Sequence, residues 1–165
     1  MSVARAFTLI ELLVVLVVMG VVAGLVFVNL GTDRVRAAER EAKRLAGAIE
    51  HAAALAQRTG ETLGISTQAN GYRFWRRTAG DRWSVIGDDD VLAPRTMASE
   101  LTVYAATYAG APVAADTILP FRSSGRNEPH ALVLNSPAGA FTIATDPLNR
   151  VRILPPATSG RESAR

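Results

Sequence analysis

The chain has 165 residues, 48% hydrophobic and 20% charged, with a formal net charge of +3. That length accommodates one domain plus an appendage, and so small a charge of mixed sign gives no case for a nucleic-acid partner. The absence of cysteine excludes disulfide staples and cysteine-ligated zinc, and two widely separated histidines, His51 and His130, leave little scope for a histidine-rich metal site.

Residues 7–28, FTLIELLVVLVVMGVVAGLVFV, are almost wholly apolar and carry one acid, Glu11. As a helix this stretch is roughly 33 Å long, enough for a hydrocarbon core of about 30 Å. It exceeds the apolar region of a secretory signal, and no A-x-A site follows it, so an anchor is expected. Gly20 and Gly24 lie four apart, a spacing that admits a close neighbouring helix but is also ordinary in membrane spans. Glu11 is the anomaly, because an acid within a span costs on the order of a few kcal/mol. Three readings stand: it reaches the interface, it complements the helix dipole, or it neutralises a new α-amine created by cleavage before Phe7.

Residues 29–33, NLGTD, form a soft spot at which the helix is expected to bend or a second segment to be capped by Thr32 or Asp33. From Arg34 to Arg58 the pattern is again helical. Val35, Ala38, Ala42, Leu45, Ile49, Ala52 and Ala56 recur at three- and four-residue steps, giving a small, Ala-rich face suited to lying on a sheet. Glu39 and Lys43 form an i,i+4 pair, and Gly60 is the expected terminator. His51 falls in this helix and reads as a surface or boundary residue.

Beyond Gly60 the period changes to short strands. Residues 62–67, 71–77 and 82–86 read as a meander, with a hairpin signal at Asn70-Gly71. Strand candidates follow at 100–108, 117–121, 131–134, 140–145 and 150–154. Residues 91–98 read as a loop, 110–116 as a flexible link and 155–165 as a polar, flexible tail.

Two clusters invite functional readings. Arg73, Trp75, Arg76, Arg77, Arg82 and Trp83 offer charge and stacking for single-stranded nucleic acid; a core aromatic face with a solvated basic edge is the preferred reading. Asp88-Asp89-Asp90 offers oxygen ligands for calcium but lacks the spacing of an EF-hand loop, so a solvated turn is preferred. There is no G-x-S-x-G, P-loop or H-E-x-x-H motif, and Ser123, Ser124 and His130 have no evident relay partner in sequence. No enzyme, cofactor or metal is expected.

The string Ala6-Phe7-Thr8-Leu9-Ile10-Glu11 before an unbroken apolar helix resembles the processing signal of type IV pilins and pseudopilins. Ile118, Pro120, Phe121 and Gly125, with the later run Asn149, Arg150, Val151 and Ile153, resemble the C-terminal sheet of the H-type minor pseudopilin of type II secretion. The resemblance implies an α+β fold, with a long N-terminal helix whose second half packs on antiparallel sheet. It implies a leader over 1–6, a transmembrane and assembly helix over 7–28, its soluble half over 29–59 and a periplasmic domain over 60–154. It further implies cleavage by prepilin peptidase between Ala6 and Phe7, with Ala6 where the family usually has Gly, N-methylation of Phe7, and Glu11 as the assembly and register residue. The implied protein is a minor pseudopilin in the inner membrane, single-pass, with its domain in the periplasm. Its implied partners are the peptidase, other pseudopilins, the inner-membrane assembly platform and, before assembly, the lipid bilayer. The cations that follow the span, Arg34, Arg36, Arg40, Lys43 and Arg44, taken alone favour the opposite orientation. A minor pilin of a type IV pilus, with or without DNA capture, and a periplasmic enzyme or receptor on an uncleaved anchor are the alternatives.

Overall fold

The computed structural model describes residues 9–156, with side chains for all of them except residues 23 and 25–33. One helix, α1 (Leu9–Thr59), is followed by ten strands: β1 (Leu63–Gln68), β2 (Gly71–Thr78), β3 (Arg82–Val85), β4 (Arg95–Thr96), β5 (Thr102–Tyr108), β6 (Ala111–Pro112), β7 (Leu119–Phe121), β8 (His130–Ser136), β9 (Gly139–Thr145) and β10 (Val151–Leu154). The α+β expectation holds.

Helix α1 has 51 residues and a length of about 75 Å. It runs through residues 29–33 without a break, so neither Thr32 nor Asp33 caps a second segment. Gly31 imposes a propensity cost of only about 1 kcal/mol, which the ordered turns on either side outweigh. The helix stops where expected. Gly60 is left-handed (φ 73°), and its N–H donates to the Ala56 carbonyl at 3.0 Å, satisfying one end carbonyl.

The strands form two antiparallel sheets, ordered β3-β2-β1-β7 with β4 also on β2, and β10-β9-β8-β5-β6. The meander is as read from the sequence. Strand β7 differs: it pairs with β1, Leu63 opposite Phe121 and Ile65 opposite Leu119, and so leaves the C-terminal group of strands for the first sheet. The exchange buries Leu119 and Phe121 beside the helix. The loop at 91–98 and the link at 110–116 each contribute a two-residue strand, β4 and β6, that only their pairing partners define.

Both sheets turn one face to the C-terminal half of α1. Ala38, Ala42, Leu45, Ile49, Ala52 and Ala56 are fully buried there, against Leu63 and Ile65 of β1, Phe121 of β7, Leu132 and Leu134 of β8 and Ile143 of β9. Alanine at four of these six helix positions lets the backbone approach the strands closely. The sheets are joined where Ala105 N–H donates to Thr67 Oγ1 (3.2 Å) and Val103 N–H to the Ala69 carbonyl (2.8 Å). The central residues of the β1–β2 hairpin are Ala69 (φ 46°) and Asn70, one place earlier than the Asn-Gly signal suggests. Gly71 is the first residue of β2. A Cβ there would lie 2.7 Å from the Arg95 carbonyl oxygen, so the close approach of β4 demands this glycine.

Candidate assembly surface

The helix passes through two environments. From Ala38 onward one face is sealed under the sheets. From Leu9 to Val22 every described side chain is exposed, with Leu9 83%, Leu16 68% and Val15 43% accessible. A sleeve of Leu, Ile, Val and Met that is open on all sides is unsuited to water, and contiguous apolar surface on this scale marks an interaction site. A methyl group at Gly20 or Gly24 would meet nothing within 4 Å beyond the adjoining backbone of the helix itself, so their side of the helix is open to a neighbour. Among the described residues no helix is long and apolar enough to cross a membrane, and described side chains in the apolar stretch cover only residues 9–22 and Gly24.

Glu11 lies in the first turn of α1, where a negative charge complements the helix dipole. Its side chain is exposed. Ala6 and Phe7, the expected processing site, lie outside the described residues, as do the rest of the leader and tail positions 157–165.

The other singled-out residues are accounted for locally. Tyr72 and Phe74 are buried edge to face, 6.0 Å between ring centroids, while Arg73 and Arg77 are not enclosed by the core. Arg76 is held by Glu61 and Asp88, each at 3.2 Å, and Arg77 by Asp81. The Trp75 indole N–H donates to Ser66 Oγ at 2.9 Å. Acids therefore interrupt the basic ladder, and its aromatic members are committed in part to the sheet. The run of three aspartates does not converge: Asp88 turns to Arg76, and Asp89 accepts from His51 Nε2 at 2.9 Å and from the Val91 and Leu92 N–H groups. The His51 hydrogen bond, aided by those backbone donors, holds the Asp89 carboxyl below the usual carboxylate range. No group of three His, Cys, Asp or Glu able to hold a metal occurs among the described residues. His130 is buried at 3% exposure, its Nδ1 at 3.2 Å from the Glu128 carbonyl and its ring against Phe121. Burial pushes its pKa down, and neither Ser123 nor Ser124 shares a hydrogen bond with it among the described residues.

A buried ion pair went unread in the sequence. Glu41, 9% exposed, receives two hydrogen bonds from Arg95. The signal was present: Glu41 lies three residues after Ala38 and four before Leu45, within the apolar stripe, and an acid there requires a cation from elsewhere. Arg95 follows Pro94 in a segment without periodicity, which hid the partner.

Comparison with known proteins agrees with this architecture. Residues 1–27 match the prokaryotic N-terminal methylation motif, and residues 41–156 match the type II transport protein GspH family. The type II secretion system protein H of Aeromonas hydrophila is 32% identical over 88 residues, covering 52% of this chain. That match spans about half of the relative's length, 48%. Among solved structures, the minor pseudopilin EpsH of the type 2 secretion system of Vibrio cholerae superposes with a TM-score of 0.61 at 18% identity, over 75% of this chain and 99% of that one. E. coli GspH superposes with a TM-score of 0.53 at 14% identity, over 80% and 93%. At these identities the superpositions establish a common fold, and the sequence match over residues 41–156 adds the lineage: the chain belongs to the type II transport protein GspH family.

Proposed function

We propose that this protein is a minor pseudopilin, a structural subunit of the periplasmic pseudopilus through which a type II secretion system exports folded proteins across the outer membrane. The observation that carries this reading is the division of α1, with one half sealed under two sheets and the other an exposed apolar sleeve. A span of this kind leaves lipid only if other apolar helices replace the lipid contacts, so the sleeve serves the bilayer first and a helical bundle afterwards. Membership of the GspH family and the match at residues 1–27 to the methylation motif support it.

In this reading prepilin peptidase cuts between Ala6 and Phe7 and the Phe7 amine is methylated. Residues 7–28 hold the chain in the inner membrane as a single span, with residues 60–154 in the periplasm. At the assembly platform the span moves into the fibre, among major and minor pseudopilins. Glu11, one turn from the new N-terminus, neutralises the amine of a neighbouring subunit and sets the axial register. The role is structural, not enzymatic. Mass spectrometry of the mature chain tests the processing step: N-methyl-Phe7 is expected, and an intact Met1 overturns it. A Glu11→Ala chain is expected to enter the membrane yet fail to join the fibre; normal secretion by that variant would remove the register role.

A further inference from the structure

The outer face of the first sheet carries a cleft of about 460 Å³ lined by Arg77, Trp83, Pro120, Arg122, Ser123 and Ser124. This volume lies within the range of small-ligand sites. Arg77 and Trp83 are cross-strand partners on β2 and β3, and Pro120 of β7 lies opposite Gly64 of β1. Gly64 makes room for the arrangement: a Cβ there would lie 2.5 Å from Ile118 Cγ2 and 3.2 Å from Trp83 Cζ3. Part of the Trp83 indole thus packs on the sheet, and part lines the cleft.

We propose that this cleft is a docking site for an acidic polypeptide segment of a partner protein, taking one Asp or Glu carboxylate between Arg77 and Arg122 and an adjacent apolar side chain on Trp83 and Pro120. No acidic residue lines it. Arg122 has no ion-pair partner among the described residues, and the partner of Arg77, Asp81, is 80% exposed in a turn and readily exchanged for another carboxylate. The Arg122 backbone is fixed in advance: its N–H donates to Asn127 Oδ1 at 2.7 Å, and its carbonyl accepts from Gly125 N–H at 3.2 Å. Asn127 is buried and tied in turn to Asn149 at 2.7 Å. A guanidinium carried on a fixed backbone loses less freedom on binding, and its planar fork matches a carboxylate. Ser123 and Ser124 line the same cleft; the Ser123 hydroxyl adds a donor to it, while that of Ser124 is bonded to the Arg126 carbonyl at 3.4 Å. A nucleic acid fits less well. Its affinity needs a series of phosphate contacts, whereas Glu61, Asp81 and Asp88 are interleaved with the cations flanking this cleft. The site lies on the sheet and does not depend on the helix's role in assembly.

The test uses the full chain in detergent micelles. The protein has two tryptophans, so Trp75→Phe leaves Trp83 as sole reporter. Four probes are titrated: N-acetyl-Phe-Glu-Phe amide, its Gln counterpart, inorganic phosphate and a single-stranded thymidine 12-mer. The expected result is a saturable change in Trp83 fluorescence with the Glu peptide, weakened about tenfold or more for the Gln peptide and for Arg122→Gln. Arg122→Gln leaves the backbone contacts to Asn127 and Gly125 in place, and an unchanged melting temperature confirms that it is folded. Equal binding of the Gln peptide, a saturable response to the oligonucleotide or phosphate alone, or no response to any probe overturns the proposal.

Discussion

Glu41 on the helix and Arg95 on β4 are joined by two hydrogen bonds, Nε to Oε1 at 2.5 Å and Nη2 to Oε2 at 2.8 Å, across 54 residues of sequence. Tyr72 adds a long contact from its hydroxyl to the same Oε1, at 3.5 Å. The carboxylate is almost fully enclosed and its cation only partly so, with side-chain exposures of 11% and 32%. The pair fastens an otherwise irregular segment to the helix face that carries the domain.

Removing one partner strands the other. Arg95→Leu leaves a buried carboxylate and is expected to destabilise the domain by about 2 kcal/mol, as Glu41→Leu does by a similar amount. The double replacement is expected to recover much of the loss, because two apolar groups of comparable size need no partner. Urea denaturation of the four proteins checks this; additive losses would show that the two side chains are not coupled. Burial, and then the Glu41 charge, push the Tyr72 hydroxyl up to about 12. Spectrophotometric titration of Glu41→Gln should therefore give a lower Tyr72 pKa than the unmodified chain, still above the ordinary value near 10.

The glycine at the start of β2 is required by its neighbour. A methyl at Gly71 would meet the Arg95 carbonyl at 2.7 Å, a backbone atom that moves only if β4 moves. Gly71→Ala is expected to cost about 1–3 kcal/mol and to loosen the Glu41–Arg95 pair, read as faster amide exchange over β4. Gly60→Ala is the control. It too alters a glycine, but nothing lies within 4 Å of the added methyl, and only the left-handed φ of 73° resists. About 1 kcal/mol is expected there, with exchange over β4 unchanged. Equal exchange behaviour in the two variants would refute the steric account.

The long helix, the meander and most strand positions were legible because each depends on local periodicity. Ala38 to Ala56 recur at helical spacing, and Tyr72 and Phe74 alternate with Arg73 and Trp75. The departures are all partner-defined. Nothing in Leu119–Phe121 states that it pairs with Ile65 and Leu63 across more than fifty residues. Strands β4 and β6, two residues each, have no period to read. The second, capped segment considered at 29–33 rested on single-residue propensities, which a long cooperative helix overrides. Of the candidate assembly surface, the apolar sleeve and Glu11 were evident as a pattern. The cleft was not, because nothing local in Arg122 and Ser123 shows that β7 brings them beside Arg77 and Trp83.

His130 makes the domain sensitive to mild acid. Its ring is buried on the core side of β8 and, with burial as the main cause, its folded pKa lies below the ordinary value near 6.5; the hydrogen bond to the Glu128 carbonyl opposes the shift. The unfolded chain thus binds a proton that the folded chain resists. Stability is complete above about pH 6.5 and declines as pH falls from there toward the folded pKa. Melting temperature followed from about pH 7.5 to 5.5 should drop, and His130→Phe should flatten the curve within that window. Losses from Asp89 and Asp146, whose carboxyls are held below the ordinary range, belong to more acidic conditions. An identical slope in His130→Phe would assign the acid sensitivity to another group.

The two faces of α1 under the domain respond oppositely to added volume. Ala42 is fully buried against the sheets, and a larger side chain there must push the helix off the strands. Ala42→Leu is expected to cost about 1–3 kcal/mol. Gly47 lies on the outer, exposed face of the same helix, where an added methyl would have nothing within 4 Å and no left-handed φ opposes it. Gly47→Ala removes backbone freedom from the unfolded chain without adding a clash, so it is expected to stabilise the domain by about 0.5–1 kcal/mol. Thermal melts of the two variants in the same detergent check both signs at once. A destabilised Gly47→Ala would mean that this outer face is itself covered, since a single methyl in open space has nothing to disturb.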